Sequence, residues 1–357
     1  MPNNLHTYHI TLQQLRQWLP QERITRLRNM ALLLLGLQLS GTIHLPLIVR
    51  KWPLPGTIPS LTNRLRRFLN NRHVSVRDWY HPPAQRLVQT FAGKEIRLII
   101  DCTKVGFSYR LRTIAIAYKK RALPLVWSVH KGRKGHVTVG EQLKLFRYVA
   151  TLMPQDSQVW VMGDAGFESV HLLCWLRRQG WSFVIHQNGR NLVRCPYQDW
   201  VKLNRLPISE GQTQTIGWVR LTQKHNAGWF FLVVHWDKGE EEPWFLVSNQ
   251  ADTRLLIRHY RIRMWIEEMY GDLKGNGFDL EATHLADADR IAHLVLAVCL
   301  TFVWFITLGS WVVKRGFRHL LDHKSRRDKS YFRLGSDWIK RCLKLNQPVP
   351  IRFLPCF

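Results

Sequence analysis

Apolar residues recur at helical spacing through the first part of the chain, with an apolar stretch around Met30 to Leu39, and this pattern predicts a helical domain over residues 1–92. Within it, SLTNRLRRFLNNR carries Arg64, Arg66 and Arg67 on a short helix that Ser60 or Thr62 is placed to cap. From Glu95 the period shortens. RLIID at 97–101 and TIAIAYKKRALPLVWSV at 113–129 read as strands, the second run as a hairpin about a central turn. A helix at 139–153, a strand at 159–164, a helix at 169–179 and a strand at 182–186 follow. Strands first and then alternating helix and strand predict an α/β core, a mixed sheet with flanking helices, whose first part spans residues 93–189. Residues 190–248 interrupt the alternation with TIGWVRLTQ, GWFFLVVHW and PWFLVS, punctuated by Gly217, Gly228, Gly239 and Pro243, and are expected to form a β-rich insertion. The last core helices follow at 249–313, then a basic C-terminal region at 314–357.

The run LVLAVCLTFVWFITLGSWVV, Leu294 to Val313, is twenty residues without a charge and is followed by KRGFR. Length and flank meet the criterion for a membrane span. A helix buried on all sides of a large core has the same composition. A single late span would explain nothing else in the chain, so a core helix and no membrane partner are expected.

Charge narrows the partners. The 357 residues carry 52 Lys+Arg against 25 Asp+Glu, a formal net charge of +27, which points to a polyanion and first of all to nucleic acid. Six cysteines are scattered without a CxxC pair or a Cys/His cluster at zinc spacing, so neither a disulfide framework nor a structural zinc is indicated, and a reducing cytoplasm fits. The start, MPNNLHTYHITLQQLRQW, lacks the charged and apolar segments of a secretory signal.

Candidate chemistry lies at two strand ends and on one helix. Asp101 closes RLII and Asp164 closes VWVMG, so each sets a carboxylate on the rim of a sheet, where open sheets bind ligands. A turn or helix-cap role is the ordinary alternative for either residue alone. In YRIRMWIEEMYGDLK, winding Tyr260–Lys274 as one continuous helix brings Tyr260, Arg263, Glu267 and Lys274 within an arc of roughly 60°, with Ile262, Ile266, Met269 and Leu273 opposite. That front is either a solvated stripe with an Arg263–Glu267 pair or one wall of a cavity at the sheet rim. In the second case three carboxylates would suit Mg²⁺ or Mn²⁺, with Arg263 and Lys274 beside a phosphate.

Tyr, two residues, Arg, three residues, Glu, six residues, Lys is also the signature of the insertion-sequence-four family of bacterial DDE transposases, which the chain resembles through Tyr260, Arg263, Glu267 and Lys274. The order strand–Asp101, strand–Asp164-Ala165-Gly166-Phe167, β insertion and helix–Glu267 resembles the same family over roughly residues 95–313. The resemblance implies a ribonuclease-H-like core in which Asp101, Asp164 and Glu267 bind two divalent ions, Mg²⁺ or Mn²⁺. By two-metal logic these ions activate a water or 3′-hydroxyl and stabilise the leaving oxygen of an in-line displacement. It implies cleavage of transposon ends and strand transfer into target DNA, with Tyr260, Arg263 and Lys274 at the cleaved end. It also implies a homodimer on double-stranded DNA bearing terminal inverted repeats, acting in a bacterial cytoplasm at the nucleoid. Trp244, in Trp244-Phe245-Leu246-Val247-Ser248, resembles the tryptophan on which hairpin-forming relatives stack a flipped base, although its gap to Tyr260 is shorter than in those relatives. The alternatives are a catalytically silent DNA-binding protein and a ribonuclease-H-like nuclease without strand transfer.

The charge balance alone makes one prediction: affinity for duplex DNA, measured by anisotropy between 50 and 200 mM salt, should fall by about 10³-fold or more, because neutralised phosphates release counterions. A flat response would exclude nucleic acid as the main partner.

Overall fold

The computed structural model describes residues 3–132, 138–225 and 227–356. Five helices come first: α1 (Asn3–Trp18), α2 (Ile24–Ser40), α3 (Leu45–Val49), α4 (Ile58–Leu69) and α5 (Val76–Gln89). Leu27 and residues Met30–Leu37 of α2 are buried, so the early apolar run forms the centre of this helical layer. The basic helix α4 starts earlier than Ser60 or Thr62: Thr57 caps it by accepting the Ser60 N–H, and Thr62 is buried within it. Pro59 explains the shift, because its fixed φ and missing N–H suit the first helical turn.

The core is built from β1 (Ile96–Val105), β2 (Tyr109–Tyr118), β3 (Arg121–Lys131), α6 (Val139–Leu152), β4 (Val159–Gly163), α7 (Val170–Arg178) and β5 (Ser182–His186). β1, β2 and β3 form an antiparallel meander, while β4 pairs parallel with β1 and β5 parallel with β4. The order β3-β2-β1-β4-β5 with only β2 reversed is the ribonuclease-H-like arrangement. Buried residues run almost unbroken through β4 and the middle of β2, as expected of strands covered on both faces.

The insertion does not stand apart from this sheet. Its strands β6 (Leu192–Arg194), β7 (Val201–Lys202), β8 (Thr213–Leu221), β9 (Trp229–His235) and β10 (Trp244–Ser248) extend it to ten strands, because β10 pairs antiparallel with the free edge of β5. An unpaired edge of buried N–H and C=O groups is costly, and β10 satisfies it.

Four helices close the chain: α8 (Thr253–Ile262), α9 (Trp265–Leu273), α10 (Ala288–Lys314) and α11 (Tyr331–Lys344). α10 is long and apolar enough to cross a membrane, yet 94% of its most apolar stretch is buried inside the protein. α11, α2, α4, α5 and β3 pack around it, joining the N-terminal helices to the sheet in one apolar core.

The tightest of these contacts depends on two glycines. A Cβ at Gly309 of α10 would run into the carbonyl of Tyr331, and a Cβ at Gly335 of α11 into the carbonyl of Phe305. Alanine is the better helix former by about 1 kcal/mol, whereas overpacking costs about 1–3 kcal/mol. Gly309→Ala and Gly335→Ala should therefore each lower the melting temperature; a variant that melts at or above the parent would show that the helices do not meet in this way.

Candidate active site

Strand register builds the rim. Ile100 of β1 pairs with Gly163 of β4, and Gly163 with Ile185 of β5. The residues that follow each of these are Asp101, Asp164 and His186, so three polar side chains leave neighbouring parallel strands side by side, at about 4.8 Å strand spacing. Asp101 is not the end of its strand: β1 continues to Val105 against β2, and Asp101 marks where pairing with β4 stops. The polar CTKV, which hid this extension in the sequence, is held by the hairpin partner rather than by burial on both faces.

Asp101 is 9% exposed and its carboxylate accepts the Cys102 N–H at 2.8 Å. Burial and the charge of Asp164 push its carboxyl up to about 6, against the opposing pull of the Cys102 N–H and Arg263. Asp164 accepts the Gly166 N–H at 2.9 Å, so the cap role weighed for it in the sequence is real and coexists with its place beside Asp101.

The helix carrying the signature is bent. α8 ends at Ile262 and α9 starts at Trp265, with i→i+3 bonds from Arg263 N–H to the Tyr260 carbonyl and from Glu267 N–H to the Met264 carbonyl tightening the join. A single continuous wheel is therefore the wrong geometry for Tyr260–Lys274. The bend keeps three of the four residues together: the Arg263 guanidinium lies 3.8 Å from Asp101 Oδ2, 3.0 Å from Glu267 Oε1 and 5.7 Å from the Tyr260 ring. Lys274 lies past the end of α9 and pairs instead with Glu281 at 2.6 Å. On the other flank of α9, Glu268 and Asp272 pair with Arg121 of β3 at 3.1 and 2.8 Å, and the Tyr270 hydroxyl donates to the Asp101 carbonyl at 3.0 Å.

Tyr260 is buried, not presented to solvent, and burial pushes its hydroxyl up to about 12. Its ring meets Trp244 edge to face at 4.9 Å and His186 at 6.0 Å. Trp244 also touches His235 and is half-buried, so pairing of β10 with β5 carries the insertion tryptophan to the signature tyrosine. His186 was not singled out from the sequence. Its signal was available, since SFVIH ends a buried strand on a polar residue as RLIID and VWVMGD do. Burial pushes its imidazole down to about 4, and the ring bonds to the Pro243 backbone. Glu168, four residues after Asp164, accepts the Asn188 N–H at 2.5 Å and the Asn191 amide at 2.9 Å, tying the loop after β4 to the start of the insertion.

Hard, all-oxygen donors suit a divalent ion, and Asp101 beside Asp164 is such a donor pair. Glu267 is held off by Arg263, and among the described residues no group of three His, Cys, Asp or Glu side chains converges tightly enough to ligate one ion. One guanidinium between Asp101 and Glu267 offsets their charges, which without a multivalent counter-charge would repel. The donor chemistry of Asp101 and Asp164 suits a divalent metal, while Glu267 is paired with Arg263.

The N-terminal arginines lie on α4 and differ in exposure. Arg64 turns inward, its Nε donating to Asn29 at 2.8 Å and its guanidinium 5.9 Å from the Trp52 ring. Arg66 and Arg67 are exposed.

Residues 85–304 match the family model described as the transposase DDE domain, more than half of the chain. No curated protein sequence matches. Among solved structures, the chain is similar to a piggyBac transposase synaptic complex with hairpin DNA, with 11% identity, a TM-score of 0.47 and coverage of 96% of this chain and 79% of that one.

Burial of Asp101, with Asp164 beside it, gives a stability prediction. A carboxyl whose folded pKa is raised to about 6 costs stability when ionised, fully above that pH and not at all below its unfolded value near 3.8. In EDTA, Asp101→Asn should therefore melt higher than the parent at pH 8, with the difference closing by about pH 4; an equal or lower melting temperature at pH 8 would show that burial and Asp164 together do not oppose ionisation of Asp101.

Proposed function

This chain belongs to the transposase DDE domain family, whose members cleave and join DNA with divalent metal ions, and from that premise we propose that it is a cut-and-paste transposase of the insertion-sequence-four type. The observation that carries this reading is the meeting of Asp101 and Asp164 at one rim with the α8–α9 bend, where Arg263 reaches both Asp101 and Glu267. In it, Asp101, Asp164 and Glu267 hold two ions, Mg²⁺ or Mn²⁺. Bound there, divalent ions supply an activated water or 3′-hydroxyl and charge compensation for the leaving oxygen.

The protein's own groups orient the DNA. Arg263 offers its planar fork to a phosphate once Glu267 is drawn away, and a guanidinium suits bidentate phosphate contact. Among the described residues the Lys274 ammonium pairs with half-exposed Glu281, and exchanging that partner for a phosphate at the cleaved end gives it its role. Tyr260 supports Trp244 from beneath, and the half-buried indole offers a face for an extrahelical base, which supports hairpin processing of the second strand. Arg66 and Arg67 contact the duplex backbone through α4, and a homodimer pairs two ends bearing inverted repeats before insertion into target DNA.

The test uses duplexes bearing the element's terminal repeats with Mg²⁺ or Mn²⁺. Asp101→Ala, Asp164→Ala and Glu267→Ala should each drop cleavage and strand transfer to background while DNA binding persists. Cleavage at the parent rate by any of the three would sink the assignment of that residue, and cleavage by all three would sink the site.

A further inference from the structure

The β1–β2 hairpin runs on past the rim. Three residues beyond Asp101, Lys104 stands directly opposite Arg110, and Arg110 stands opposite His130 of β3. Residues in register share a face, so three basic side chains form one rung across three strands, about 10 Å along β1 from Asp101. Alternation puts the rung on the sheet face opposite Asp101, where Arg112 and His130 also feel Glu141 of α6. Lys104 is exposed and Arg110 half-buried, and neither has a carboxylate partner or a ring contact among the described residues. The His130 Nε2 is buried without a hydrogen-bond partner. At the tip between β1 and β2, Phe107 is 78% exposed.

Like charges directly opposite in a sheet oppose folding. The same sheet holds a second such pair, Arg194 opposite Arg220, and there each guanidinium lies over an indole, Trp200 at 5.4 Å and Trp229 at 5.1 Å. Those rings supply the compensation within the protein. At Lys104 and Arg110 the described residues supply none, which points to compensation from outside, by an anion that lies along the hairpin. Resting on the reading of the chain as a DNA-processing enzyme, we propose that the Lys104–Arg110–His130 rung is a binding site for the phosphate backbone of duplex DNA, distinct from the contacts of Arg263, Lys274 and Trp244, with Phe107 against the sugars at its tip.

The experiment compares the full-length protein with the double variant Lys104→Gln/Arg110→Gln, and with the charge-keeping swap Lys104→Arg/Arg110→Lys, on a fluorescein-labelled random-sequence duplex over a range of salt. The glutamine variant should bind about tenfold or more weakly at low salt. Its slope of log K against log salt should be shallower by about 2, one phosphate contact for each charge lost. Its melting temperature should equal or exceed the parent's, and the swap should bind like the parent. Parent-like affinity and slope in the glutamine variant, a lower melting temperature, or a swap as weak as the glutamine variant would each overturn the proposal. A parent that itself binds DNA with a flat salt response would instead overturn the reading of the whole chain.

Discussion

Parallel pairing of β1 with β4, ending at Ile100 and Gly163, is the constraint from which the site follows. It sets Asp101 and Asp164 side by side on the rim at the cost of holding Asp101, whose burial already opposes ionisation, next to a second carboxylate. The backbone ladder and the apolar residues below it, Leu98 to Ile100 and Val161 to Met162, hold that arrangement against repulsion. A site that stores this tension is prepared for a multivalent cation, and Arg263 meanwhile supplies a single positive charge between Asp101 and Glu267.

The insertion serves the same rim. By completing the edge of β5, β10 continues the core sheet, and its first residue, Trp244, comes to lie on Tyr260. One hydrogen-bonded ladder thus joins the carboxylates, His186 and Trp244, so that α8 needs only to pack across β4, β5, β9 and β10 to bring Tyr260 and Arg263 into place. The bend between α8 and α9 separates two tasks: Tyr260 and Arg263 turn to the rim, while Tyr270 and Asp272 anchor α9 to β1 and β3.

The N-terminal helices are bound to this machinery through α10 rather than through a free linker. Buried His293 bonds to the Leu69 and Val74 carbonyls, and Arg290 to Asn70, so the end of basic helix α4 is fixed relative to the core. DNA held by Arg66 and Arg67 would then be held at a set distance from Asp101.

Local pattern determined much of this protein: apolar runs with turn residues between them specified the meander, β4, β5 and the buried α10, and the spacing of Tyr260, Arg263 and Glu267 sufficed to place them together, since i, i+3 and i+4 neighbours stay close even through a bend. Other features depend on partners remote in sequence. The extension of β1 past Asp101 is decided by β2, the joining of the insertion to the sheet by the open edge of β5, and the role of His186 by the register that sets it next to Asp164. Lys274 shows the limit most clearly. Seven residues from Glu267, it follows a helix that has already ended, and its partner Glu281 is chosen by the turn that follows, which no helical period encodes.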